Sequence, residues 1–159
     1  MLSINYAKKL GFSLIELVIT VLVATLLAAI AFPTYQQHIV ASKRKSAMNM
    51  LLSHAAVIER FKANHGFSYQ CLSLQTSTCT IKGQTFNVTP VISSFIPPDT
   101  NSPDYELSVK VYNNGKAYEL TANPSSFSSQ KDDGPIVLHS DGQRLWNGQN
   151  CWPINNKTC

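Results

Sequence analysis

Glu16 is the one charged residue between Phe12 and Phe32, and no other position in the chain is as chemically out of place. As a helix rising about 1.5 Å per residue, that stretch spans ~30 Å, one hydrocarbon core. A carboxylate at such depth costs about 2.5–3.5 kcal/mol on the insertion scale and calls for a cationic partner. Lys8, Lys9, Leu10 and Gly11 stand directly before the stretch. A cut after Gly11 would bare an amine on Phe12, one helical turn from Glu16, and an α-amine is largely protonated at neutral pH.

The remaining chemistry-bearing residues are sparser. The four cysteines fall in two pairs with one spacing, Cys71 to Cys79 and Cys151 to Cys159. No C-x-x-C or His/Cys zinc pattern accompanies them, which points to disulfides in an oxidising compartment. Two local loops are the preferred pairing, and crossed pairing between the two segments stays open. His38, His54, His65 and His139 share no metal-ligand spacing. Ser140 and Asp141 beside His139 cannot converge on one substrate from adjacent positions, and no nucleophile elbow is present. Asp132-Asp133-Gly134 and Asp141-Gly142 do not follow the EF-hand spacing. Neither a phosphate loop nor a dinucleotide fingerprint occurs. The residues thus argue against an enzyme, and they ask for no cofactor and no metal.

Gly11-Phe12-Ser13-Leu14-Ile15-Glu16-Leu17, behind a short basic leader, resembles the class III signal of type IV prepilins. The resemblance runs on through Ala28-Ala29-Ile30-Ala31-Phe32-Pro33-Thr34-Tyr35, similar to the pilin stretch in which a proline bends the helix. It implies cleavage after Gly11 by a prepilin peptidase, N-methylation of Phe12 and a helix kink at Pro33. It also implies that Glu16 pairs with the N-terminal amine of a neighbouring subunit, setting register in a helical filament. The likeness is specific over residues 8–40. Beyond it, Arg44 through Glu59-Arg60-Phe61 to Gly66 is similar to the minor pilins, most like those of the PilE/ComP type, some of which bind DNA for uptake.

Three plainer readings compete for the apolar run. A simple anchor leaves Glu16 unexplained. A secretory signal would use Ala29-Ile30-Ala31 as its cleavage site, but the run is longer than an ordinary apolar core region. A buried core helix would show a polar face, and this run has none.

The expected organisation is a cleaved leader (1–11), an apolar transmembrane and assembly helix (12–35) and an extracytoplasmic domain (36–159). Losing Lys8 and Lys9 with the leader halves the formal net charge of +4, so the remainder is not polybasic. Lys43, Arg44 and Lys45 follow the span closely and blur the positive-inside signal. The cysteines decide orientation instead, placing the N-terminus in the cytoplasm. Beyond Pro33, Ala47/Met48, Leu51, Ala55, Ile58 and Phe61 recur at helical steps, opposite a polar line of Ser42, Ser46, Asn49, Ser53, Arg60 and Asn64. Gly66 is placed to end that helix.

The rest reads as antiparallel strands: Thr85 to Val91, with Pro90 at a strand end; Tyr105–Val111 and Tyr118–Ala122 about an Asn114-Gly115 turn; and Ile136–Leu138 with Leu145-Trp146 about Asp141-Gly142. The fold class is α+β, a long N-terminal helix packed on a roughly four-stranded antiparallel sheet with disulfide-closed loops. This resembles the type IV pilin fold.

The functional expectation is a minor pilin: a structural subunit inserted in the inner membrane with its domain in the periplasm, then assembled into an extracellular pilus. Its partners are other pilin subunits, the prepilin peptidase and the inner-membrane assembly machinery. A major pilin, a secretion-system pseudopilin and a DNA-binding minor pilin are the alternatives. DNA contact, on this reading, would use Lys110, Lys116, Lys131, Arg144 and Lys157, with Trp146 and Trp152 as aromatic neighbours. The plain alternative leaves these cations as solvated positions and packs the tryptophans under the C-terminal loop.

Overall fold

The computed structural model describes residues 11–64, 68–75, 77–98 and 101–153. The chain divides after Gln37 into two units, and helix α1 (Leu14–Asn64) runs through both. In the first unit α1 starts behind Ser13, whose carbonyl accepts the Leu17 amide at 3.1 Å. Glu16 lies in its first turn, where the helix dipole favours negative charge. Every described side chain from Gly11 to Gln37 is exposed in the single chain. The helix continues through Pro33, which supplies no amide to the Ala29 carbonyl. Thr34 instead donates its hydroxyl to the Ile30 carbonyl at 3.2 Å. Thr20 and Thr25 likewise bond carbonyls three residues back, so these threonine hydroxyls are satisfied within the helix.

In the second unit the helix has the expected two faces. Ala47, Met48, Leu51, Ile58 and Phe61 are buried and Ala55 is half-buried, whereas Ser42, Ser46, Asn49, Ser53, Arg60 and Asn64 are all exposed. Gly66, expected to end the helix, lies outside the described residues.

Seven strands follow: β1 (Ser77–Ile81), β2 (Gln84–Val88), β3 (Phe95–Ile96), β4 (Tyr105–Tyr112), β5 (Ala117–Pro124), β6 (Ile136–His139) and β7 (Arg144–Trp146). β3 to β7 form one antiparallel sheet in sequence order, while β1 and β2 make a separate two-stranded ribbon. The main sheet thus has one strand more than expected, the two-residue β3. The strand read at Thr85 to Val91 appears as β2, and it pairs with β1 rather than joining the sheet. Its pairing ends at Val88, short of Pro90, which has no amide to donate.

The two hairpins form as read. Tyr112 pairs with Ala117 around a turn in which Asn113, Asn114 and Gly115 all take positive φ, and Gly142 (φ 89°) closes the second turn. The inner face of the sheet (Tyr105, Leu107, Tyr118, Leu120, Ala122, Ile136, Leu138 and Trp146) joins the buried face of α1 in one core.

Candidate nucleic-acid interface

The sheet has two ends with different chemistry. At one end the loop between β5 and β6 returns to α1. Lys43 Nζ meets Asp104 Oδ1 at 2.7 Å and Ser129 Oγ at 3.2 Å. Beside them Arg44 Nε stands 2.9 and 2.8 Å from the two Asp133 oxygens, with Arg44 Nη2 also on Asp133 Oδ1. Both side chains are almost fully buried, at 6% and 2% exposure. The guanidinium lies 4.2 Å from the Trp146 ring centre. The Tyr105 hydroxyl is 2.8 Å from Asp133 Oδ2 and 3.0 Å from the Gln130 side chain. Burial first, then the bond to Asp133 and its charge, pushes the Tyr105 phenol well above its ordinary pKa. Asp133 is therefore occupied by an arginine and a tyrosine. Among the described residues no group of His, Cys, Asp and Glu could hold a metal ion.

The other end carries the turns between β4 and β5 and between β6 and β7. Tyr69, just past α1, donates its amide to the Gly115 carbonyl at 2.8 Å and packs edge-on against Tyr118 at 4.9 Å. Its hydroxyl donates to Glu59 Oε1 at 2.6 Å, under the ammonium of Lys62. Burial and the Glu59 carboxylate raise the Tyr69 phenol as well. The Cys71–Cys79 disulfide, with Cα atoms 5.5 Å apart, fastens β1 to the same segment. The second expected loop ends on Cys159, outside the described residues.

The five cations proposed for DNA separate accordingly. Lys110 is exposed near the turn end of β4, opposite Glu119, which in turn faces His139. Lys116 is exposed in the β4–β5 turn, and Arg144 is exposed at the start of β7, just past the second turn. These three share one end of the sheet. Three strand spacings, ~14 Å, separate the strands of Lys110 and Arg144, and the pairing of Arg144 with Leu138 sets it on the face opposite Lys110. Lys131 belongs to the opposite end, in the loop that holds Asp133, and Lys157 lies outside the described residues. Trp146 is buried beneath Arg44 and is not available to a ligand, whereas Trp152 stays half-buried against Arg144. One exposed cation that the sequence reading passed over is Lys82, at the tip of the separate β1–β2 ribbon with φ 48°. Its signal was Lys82-Gly83 between two short threonine-bearing strands.

Comparison with known proteins bears on both units. Residues 6–32 match the family described as the prokaryotic N-terminal methylation motif. Residues 33–134 match the family described as type IV minor pilin ComP, DNA uptake sequence receptor. A solved type IV pilin from Shewanella oneidensis is similar at 20% identity and TM-score 0.43, covering 72% of this chain and 98% of its own. No curated protein matches the chain. With more than half its length matched, and with the methylation motif in front, the chain belongs to the ComP family of type IV minor pilins.

Proposed function

We propose that this protein is a minor subunit of a type IV pilus that receives DNA at the turn end of its sheet. The observation that carries the reading is the match to a DNA uptake receptor family over residues 33–134. The exposed cations Lys82, Lys110, Lys116 and Arg144 supply the charge such a role needs.

The precursor sits in the inner membrane with its N-terminus in the cytoplasm and its domain in the periplasm. The prepilin peptidase cuts after Gly11 and Phe12 is methylated. The bared helix then leaves the bilayer for the filament through the inner-membrane assembly machinery. Helix–helix contacts with other pilins replace its lipid contacts. The Glu16 carboxylate pairs with the Phe12 amine of an adjacent subunit, neutralising both charges where neither could stand alone.

The test is a binding titration of the full chain in detergent against a short duplex over a salt series. Neutralising three to four phosphates predicts a slope near −3 in log affinity against log salt, roughly a 40–150-fold loss between 50 and 200 mM. Lys110→Ala, Lys116→Ala and Lys82→Ala should each weaken binding and flatten that slope, and Lys131→Ala should not. No binding at low salt would leave a pilus subunit without the DNA role.

A further inference from the structure

Among the described residues are two arginine–tryptophan stacks, and they differ in what the guanidinium has left to offer. In the first, Arg44 lies over Trp146 with both side chains buried and its donors committed to Asp133. In the second, the Arg144 guanidinium carbon is 5.1 Å from the Trp152 ring centre. Arg144 is exposed and forms neither an ion pair nor a side-chain hydrogen bond with any described residue. Its indole partner is itself fixed, because Trp152 Nε1 donates to the carbonyls of Val137 at 3.2 Å and Leu145 at 3.1 Å, one on each of the two last strands. The tryptophan is thereby held against the sheet, and the arginine is held against the tryptophan.

A stacked guanidinium keeps its donor edge pointing away from the ring. It presents paired N–H groups in a fixed fork, suited to two acceptors side by side. Arginine over an aromatic face is also stabilised within about 6 Å of the ring centre. Resting on the DNA-receptor reading above, we infer that Arg144 is a pre-oriented fork for a paired-acceptor group of DNA, with Trp152 as its positioning residue. Two groups of DNA offer that acceptor pair: the oxygens of a backbone phosphate and the O6/N7 edge of guanine. Arg144 stands at the same end of the sheet as Lys110 and Lys116, but pairs with Leu138 and so starts from the face opposite Lys110; the fork would meet a duplex that crosses the end of the sheet rather than one lying on a single face.

The experiment is a titration of the full chain in detergent with two short duplexes, one containing G·C pairs and one of A·T pairs only, using R144A, R144K, W152A and W152F. R144A should lose about tenfold in affinity and flatten the salt slope by about 0.9. R144K keeps the charge, so it should hold the slope yet stay several-fold weaker. W152A should behave like R144K, with the charge present but unaimed, and W152F should recover part of the loss through its remaining ring face. A merely structural Trp152 would lower the melting temperature without producing that match to R144K. An R144K penalty equal on both duplexes assigns the fork to phosphate; a penalty confined to the G·C duplex assigns it to guanine. If wild type binds and R144A binds equally well, the fork is wrong while the receptor reading stands. If wild type binds neither duplex, the receptor reading fails and the fork falls with it.

Discussion

At the scale of single residues the domain rests on one buried ion pair. Arg44 and Asp133 are 89 residues apart, on α1 and on the loop before β6. Together with Tyr105 they close the end of the core that Trp146 lines. Removing one partner leaves the other buried without its counter-charge, so Arg44→Ala or Asp133→Ala should each cost about 3–5 kcal/mol. Replacing both together by Met and Leu should recover most of that loss, since a packed apolar pair escapes the desolvation penalty. Urea unfolding of the four proteins measures the difference; single variants as stable as wild type would show that the pair holds nothing. The same cluster sets an alkaline limit. Tyr105 has its folded-state pKa raised above an unfolded value of about 10, so its contribution is complete below pH 10 and is lost as pH rises beyond it. The slope is about 1.4 kcal/mol per pH unit for this one group. Tyr105→Phe should remove that part of the alkaline slope, at a cost of about 1 kcal/mol near neutrality for the lost hydrogen bond to Asp133.

At the scale of elements, the turn end is fastened by one backbone contact and one disulfide. Gly115 has φ +80°, and a Cβ there would meet Ser68 Oγ and stand 3.0 Å from Gln70. Gly115→Ala should therefore cost about 1–3 kcal/mol through a strained backbone and a displaced 68–70 segment. The Cys71→Ser/Cys79→Ser double variant opens a loop of sequence separation 8 and should cost about 2.5 kcal/mol in the chain-entropy picture. Both are read as shifts in melting temperature. Unchanged values would mean the ribbon and its segment contribute nothing to the fold.

The elements themselves were unevenly legible in the sequence. The helix face and the two sheet hairpins could be read because apolar spacing and Asn-Gly or Asp-Gly turns are local signals. β1 was missed because Ser77-Thr78-Cys79-Thr80 has no apolar alternation, and β3 because two residues hold no period at all. The Arg44–Asp133 pair was invisible for a different reason. Nothing in a run of Lys43, Arg44 and Lys45 marks the middle residue as the buried one; only the α1 face it shares with Ala41, Ala47 and Met48 does so. The DNA candidates were a list of types rather than a place. Strand order then separated Lys131 from Lys110, Lys116 and Arg144.

At the scale of the whole molecule, none of the side chains in the apolar stretch of α1 is buried within the chain. Phe12 and Leu14 are 80% exposed and Ile30 is 72% exposed, which is tolerable in lipid or against other helices but not in water. Glu16 distinguishes those two environments. In the bilayer its charge is a cost, and under the proposed assembly it gains a cationic amine as neighbour. Glu16→Ala should therefore insert and be cut normally yet fail to enter the pilus, while Gly11→Val should stop cleavage and leave the chain in the membrane. Mass spectrometry of membranes and sheared filaments, following the N-terminal peptide and the subunit ratio together, distinguishes these outcomes. Wild type should yield a methylated Phe12 peptide at trace stoichiometry in filaments. Glu16→Ala should show the same peptide only in membranes. If Glu16→Ala enters filaments at the wild-type ratio, register is set by helix packing alone and the carboxylate has no assembly role. If the Phe12 peptide dominates the filament, the subunit is its main component, and the turn end of the sheet would then be repeated along the whole fibre.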